Sequence, residues 1–308
     1  MKKNYAKEQL LKYNSSLKKQ WRVINSIIER KERSALPSAM RVDSNSEILS
    51  SPHTIADQMN QFFVNSGALV IEKNPQSFTD PLSFLPHLDS LHSMHAPKTN
   101  EKEVIKIMEK LKNSAAGSDQ LKPVVIKEVR KDLIKPIVHL INFSLKTGTF
   151  PERHKEAIIT PVFKKGCKDV ISNYRPISIL NVFSKIIEKL MYQRLITYIE
   201  STQILYNRQF GFRRGCSTEM AVTEAVSIIT KALNNKQSIL AVNMDLSKAF
   251  DTIDHNILCK KLAKYGLTGN ILNWFKSYLH NRKQSVRFNN TVSPLSKLLN
   301  LVYRKAQI

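Results

Sequence analysis

Asp245 stands where metal chemistry is possible. Residues Ser238-Ile239-Leu240-Ala241-Val242-Asn243-Met244 form an apolar, β-rich run, Asp245 follows at its end, and Leu246, Ser247, Lys248, Ala249, Phe250 and Asp251 make the turn beyond. A carboxylate delivered at a strand end can hold Mg²⁺, a hard cation that takes oxygen ligands and bridges substrate phosphates. An aspartate at such a junction more often caps the next helix, and this stretch alone favours that structural reading. Two further segments carry cations. Lys164 and Lys165 follow the run Ile159-Thr160-Pro161-Val162-Phe163, and Arg175 lies in Asn173-Tyr174-Arg175-Pro176. Two lysines at a β-turn with an arginine ten residues on suit a pair of strands gripping a triphosphate by point charge and guanidinium fork; a solvated hairpin tip has the same composition. Between these and Asp245 lies Gln209-Phe210-Gly211-Phe212-Arg213-Arg214-Gly215. Arginines interleaved with aromatics suit contact with a nucleic-acid backbone, although a tight turn also wants the glycines.

The elements that must position these residues read as a mixture. Leu10, Leu11, Trp21, Val23, Ile24, Ile27 and Ile28 recur at roughly helical spacing, which predicts a helix over 5–33 with basic flanks. Ser51-Pro52 reads as an N-cap with proline at the first helical position, ahead of Ile55, Met59, Phe62 and Phe63 on one face. The proline-rich, aperiodic stretch from Asn74 to Pro97 is expected to be a linker, and Asn100 with Glu103 is expected to form a capping box at the head of a helix through Leu111. Beyond Gly117, strands are expected at Ala157–Phe163, Ser238–Met244 and Gln284–Phe288, and helices at 181–200, 217–233 and 255–280, the last in two pieces around Gly266. The class is α+β with the strands in the second half.

Charge supplies the strongest bulk signal. The 308 residues hold 48 Lys and Arg against 25 Asp and Glu, a net of +23, and a polyanion is the commonest partner that relieves such self-repulsion. The excess is +7 over residues 1–35, −3 over 36–100 and +19 over 101–308. An apolar fraction of 42% is enough for a real core, which argues against wholesale disorder. Cys167, Cys216 and Cys259 are isolated, with no CxxC spacing, so neither a disulfide framework nor a structural zinc site is expected, and a reducing compartment, cytosol or nucleus, fits. No signal peptide and no membrane span is read.

Taken in order, TPVFKKG, NYRPISIL, QFGFRRGCST and NMDLSKAFDTIDH resemble the motifs of non-LTR retrotransposon reverse transcriptases, nearest in character to jockey-like elements. AAGSDQLKPVVIKEV resembles the segment that opens their polymerase region, and IADQMNQFFVNSG part of the linker between their endonuclease and polymerase. The resemblance implies reverse-transcriptase fingers plus an incomplete palm, preceded by a helical linker region: residues 1–97 as connector, 98–235 as fingers and 236–308 as a truncated palm with the first catalytic strand. It implies Asp245 as catalytic carboxylate and metal ligand, joined by the Leu246 carbonyl. Ser247, Lys248 and Ala249 would offer backbone amides to the triphosphate, Phe250 would gate the sugar, and Lys164 or Lys165, with Arg175, would hold phosphates. Gln209, Arg213 and Arg214 would meet nucleic acid. The implied partners are an RNA template, a DNA primer and dNTPs, and the implied metal is Mg²⁺. Asp251, Asp254 and His255 read as structural.

In-line phosphoryl transfer of this kind uses two metal ions about 3.5–4 Å apart, held by several carboxylates. The resemblance places the others in an Asp-Asp hairpin, and no Asp-Asp pair occurs in the 308 residues. The expectation is therefore a remnant of an RNA-directed DNA polymerase without catalysis; a non-catalytic basic RNA- or DNA-binding module is the alternative. The last residues, from Leu301, are expected to be a frame-shifted tail, because a one-base shift lets codons for Leu301–Gln307 spell Gly-Ile-Pro-Gln-Gly-Ser, the motif the resemblance expects there.

Overall fold

The computed structural model describes residues 36–72, 79–85, 93–246 and 248–297, with a few positions nearer the start. The chain divides into two compact units, one through Ser38 and one from Ala39. In the first, the described positions Glu8, Leu10 to Lys12, Gln20, Val23 and Ile24 are helical; the rest of the helix expected over 5–33 lies outside the described residues. So do most of the expected linker and the tail from Leu301.

The second unit is α+β. Its first helix, α1, spans Pro52–Asn65, with Ser51 at the N-cap in an extended conformation and proline opening the helix. A short α2, Ala68–Glu72, follows. Next come α3 (Glu101–Glu109), α4 (Pro123–Glu128) and α5 (Arg130–Thr147). The strands β1 (Glu156–Phe163) and β2 (Tyr174–Leu180) precede α6 (Val182–Ser201) and α7 (Thr218–Asn234). Helices α8 (His255–Lys264) and α9 (Gly269–Leu279) lead to β3 (Lys283–Phe288), β4 (Thr291–Val292) and β5 (Ser296–Lys297). The break between α8 and α9 falls at Gly266, whose φ of 87° is open to glycine at little cost.

A helical core gathers α3, α5, α6 and α9 around Val104, Ile107, Ile141, Phe150, Ile186, Leu190, Leu267 and Trp274. Apolar residues recurring at three and four positions put one stripe of each helix inside. Phe150, Trp274 and Tyr278 pack as an aromatic trio, and the Trp274 indole N–H donates to Ser144 Oγ at 3.0 Å, so the buried ring leaves no polar atom unmet. Asn100 caps α3 by accepting from Glu103 N at 3.0 Å. Only half of the expected capping box is built there, because the Glu103 carboxylate takes its hydrogen bonds from Thr99 Oγ1 (2.6 Å) and Arg194 (3.0 and 3.1 Å). Gly117, in the AAGSDQ loop, lies so close to the Asn181 backbone at the head of α6 that a Cβ would come within 2.6 Å of its nitrogen. That loop also brings Asp119 toward His154, whose imidazole is held below its ordinary value of 6.5 by burial, Asp119 opposing.

The sheet runs β2-β1-β3-β4, with β5 on β3. β1 pairs antiparallel with β2 along its length, Phe163 opposite Tyr174, and parallel with β3, Glu156 opposite Lys283. Helix α1 lies against β3 with Ile55, Ala56, Met59, Asn60, Phe63 and Val64 buried. Asn60 is fully buried and satisfied: it donates to the Pro294 carbonyl (3.0 Å) and to Ser296 Oγ (2.9 Å) and accepts from Gln284 Nε2 (3.0 Å). Helix α1 thus shares its packing with residues more than 200 positions later.

One expected strand does not form. Ser238–Met244 takes no regular structure and pairs with no strand among the described residues, and Leu240 and Met244 are each 90% exposed. β propensity expresses a fit to a pleated, half-buried surface, and it holds a strand only where a neighbour supplies the ladder. Here β1 and β3 pair directly with each other, and β4 and β5 take the far side of β3.

Candidate nucleotide and nucleic-acid site

The cations Lys164, Lys165 and Arg175 are exposed at one end of the β1–β2 hairpin. The register sets Arg175 opposite Val162, and Lys164 N donates to the Asn173 carbonyl at 2.9 Å, closing the hairpin just beyond. The loop between the strands is firmly built. Asn173 Nδ2 donates to the Cys167 carbonyl (2.9 Å) and the Tyr174 hydroxyl to the Lys168 carbonyl (2.6 Å). Arg41 pairs with Asp169 at 2.7 Å and exchanges backbone hydrogen bonds with Asp169 and Ile171. Gly166 has φ 90°, and a Cβ there would lie 2.7 Å from Asn173 Nδ2, so the turn that follows the two lysines requires glycine. Three exposed side chains at a well-bonded hairpin end can meet phosphate groups without ordering the backbone anew.

The loop ahead of α7 is built by its own polar residues. Gln209 Nε2 donates to the Gly211 carbonyl (3.2 Å), Arg213 Nη1 to the Tyr206 carbonyl (3.2 Å), and Arg208 pairs with Glu224 of α7 at 2.8 Å. Arg214 is exposed. Tyr206 and Gln209 also line an open cleft of about 540 Å³ together with Tyr265. Phe212 has φ 62° and its ring is 85% exposed; the left-handed region costs an ordinary L-residue roughly 1–2 kcal/mol. It meets Phe250 edge-to-face, ring centroids 5.9 Å apart.

Asp245 and Leu246 are exposed at the end of the segment without regular structure, and among the described residues Asp245 makes no hydrogen bond or ion pair. Ser247 lies outside the described residues. Lys248 adopts a left-handed conformation (φ 50°), and the turn Ala249–Asp251 follows as a single 3₁₀ turn. The Lys248 side chain reaches the end of α1: its Nζ donates to the Ser66 carbonyl (3.3 Å), just past the helix, and sits 5.2 Å from the Phe62 ring centre. A cation at the C-terminal end of a helix and over an aromatic face is doubly favoured. Asp251 is buried and accepts from Ser66 Oγ at 3.5 Å, and Asp254 caps α8 by accepting from Asn256 N (2.7 Å) and Ile257 N (3.0 Å). Asp254 is a local cap, as its sequence suggests, whereas the side-chain partner of Asp251 is Ser66, 185 positions earlier. The end of α1 therefore carries the turn that holds Phe250. The contacts of Phe62 and Ser66 with this turn are not legible in the sequence because the partners lie more than 180 residues away, and no spacing rule reaches that far.

A divalent metal does not fit these residues as they stand: among the described residues no group of three or more His, Cys, Asp or Glu side chains comes together. Asp245, exposed on a segment without regular structure, offers one carboxylate and no enclosure.

Residues 162–299 match the family model for reverse transcriptase (RNA-dependent DNA polymerase). This span begins in β1 and takes in the hairpin cations, the QFGFRRG loop and Asp245. Over this stretch the chain is similar to the reverse transcriptases of non-LTR retrotransposons. It is 31% identical over 188 residues to the probable RNA-directed DNA polymerase from transposon X-element of Drosophila melanogaster, covering 61% of this chain and 21% of that protein. It is 33% identical over 184 residues to the probable RNA-directed DNA polymerase from transposon BS of the same organism, covering 58% and 20%. To the RNA-directed DNA polymerase from mobile element jockey of Drosophila funebris it is 31% identical over 186 residues, covering 60% and 20%. The chain thus spans about a fifth of the length of these relatives. No described helix of the matched region, or of the residues before it, is long and apolar enough to cross a membrane.

Proposed function

We propose that this chain is part of an RNA-directed DNA polymerase of a non-LTR retrotransposon, and that these 308 residues by themselves bind nucleotide and RNA without copying it. The observation that carries the reading is the family match over residues 162–299, which contains every motif with a plausible chemical role. In this reading residues 1–97 are the connector, 98–235 act as fingers and 236–308 as the beginning of the palm. Lys164, Lys165 and Arg175 grip the triphosphate from the hairpin end. Ser247, Lys248 and Ala249 would offer backbone amides to the phosphates, and Phe250 would stand where a ribose 2′-hydroxyl falls. Arg213 and Arg214, with Gln209, follow the polynucleotide backbone. The family works with divalent metal ions, Asp245 and the Leu246 carbonyl being the expected ligands, but one carboxylate cannot assemble a two-metal site.

The second reading, a basic RNA- or DNA-binding module, is favoured by the net charge of +19 over residues 101–308 and by the exposed cations of the hairpin and loop. Both readings require electrostatic RNA binding. For single-stranded RNA, log K is expected to fall linearly with log salt, with a slope of roughly −0.7 per phosphate neutralised. Arg213→Ala with Arg214→Ala should weaken polynucleotide binding and flatten that slope. Lys164→Ala, Lys165→Ala and Arg175→Ala together should weaken dNTP binding instead. Only the polymerase reading predicts a dNTP site, so RNA binding without dNTP binding would leave the module alone standing. An affinity indifferent to salt would contradict both.

A further inference from the structure

We infer that Phe212 is a positioning residue for the sugar gate: it sets the Phe250 ring, and through it the discrimination between deoxyribose and ribose. The inference rests on the proposed nucleotide site and adds a residue to it. The two rings come from segments 38 positions apart and meet edge-to-face at 5.9 Å. This is the arrangement in which the positive rim of one ring meets the negative face of the other, and it fixes the angle of a ring as well as its place.

Three features show a loop shaped to present Phe212. It is held at φ 62°, a conformation that a bulky L-residue rarely adopts. Residues on either side fasten the loop to itself, Gln209 to the Gly211 carbonyl and Arg213 to the Tyr206 carbonyl, each through one N–H that leaves its other donors for nucleic acid. Arg208 then anchors the loop to α7 through Glu224. Phe250 is braced from the other direction. Its turn is fastened to the end of α1 by Lys248 and Asp251, both of which reach Ser66. With 48% of its surface exposed, Phe250 is open to an incoming sugar, and Phe212 is the aromatic partner that limits its swing.

The test compares binding of dATP and ATP, each with Mg²⁺, to the full chain. Wild type is expected to bind dATP more tightly than ATP. Phe212→Ala is expected to reduce the dATP-to-ATP affinity ratio about threefold to tenfold, the size of an aromatic pair's coupling, while dATP affinity itself changes less than about twofold. Phe212→Tyr should retain the ratio. Phe250→Ala should abolish it, and adding Phe212→Ala to that variant should change nothing further. If wild type discriminates and Phe212→Ala discriminates equally well, the positioning role is overturned while the nucleotide site stands. If wild type binds neither nucleotide, the site itself is refuted and the gate with it.

Discussion

Arg194 donates to both oxygens of Glu103, at 3.0 and 3.1 Å, and to the Pro97 carbonyl, tying α6 to the chain just ahead of α3. Burial alone would raise the Glu103 carboxyl, but hydrogen bonds from Arg194 and Thr99 outweigh it and hold the group below its ordinary 4.5. A depressed carboxylate contributes stability that is present above its unfolded value and lost as pH falls through the folded one. Glu103→Gln should therefore lower stability at neutral pH and leave a weaker dependence on pH below about 4.5. Arg194→Met should cost about 1–2 kcal/mol, since the Glu103 side chain keeps 32% of its surface in water. Chemical denaturation at neutral and acid pH checks both; identical acid slopes for wild type and Glu103→Gln would contradict the linkage. At this scale the sequence identifies types better than partners. Asp254 as a cap could be read from Ile253-Asp254-His255 alone. Arg194 could not, because a lone arginine in an apolar helix carries no sign of the carboxylate 91 positions earlier that it pairs with.

Helix α7 buries no residue, and Met220, Val222, Val226, Ile228, Ile229 and Leu233 are all exposed along it. The segment after it exposes Leu240, Val242, Met244 and Leu246. These are many exposed apolar side chains for consecutive segments, and apolar surface left uncovered is an aggregation hazard. The isolated chain should bind a hydrophobic dye strongly and self-associate with rising concentration. Leu240→Ser with Met244→Ser should reduce both without lowering thermal stability, because neither side chain contributes to the core. A stability loss of more than about 1 kcal/mol in that variant would mean that the segment is packed. The helices α1, α3, α6, α7, α8 and α9 and the strands β1 and β3 were legible from periodicity and caps. Helix α5 gave no clear signal, since Pro136 interrupts it and Leu140 and Phe143 lie off its buried face. The strand expected at Ser238–Met244 misled for a physical reason: a sequence window records a segment's propensity and is blind to whether any partner exists for its ladder.

On the scale of the whole molecule, the helical core and the sheet hold the hairpin cations, the QFGFRRG loop and the Asp245 turn in a single compact unit, with α1 bracing the turn from the other end of the sequence. The family was legible because motifs survive in order along the chain; the relation of Phe212 to Phe250 and of Ser66 to Lys248 was not, because it arises only when distant segments meet. In the proposed function, net charge would supply the long-range attraction to RNA, and the hairpin end and the QFGFRRG loop the places where phosphates are held. The central claim is that this polypeptide grips a primed template and does not copy it. It is tested most directly by offering the purified chain a labelled primer on RNA, with dNTPs and Mg²⁺, and resolving both complex and product on gels. The account predicts a salt-sensitive complex with the primer unextended, in wild type and in Asp245→Ala alike. Primer extension by wild type that disappears in Asp245→Ala would contradict it, and so would the absence of any complex at low salt.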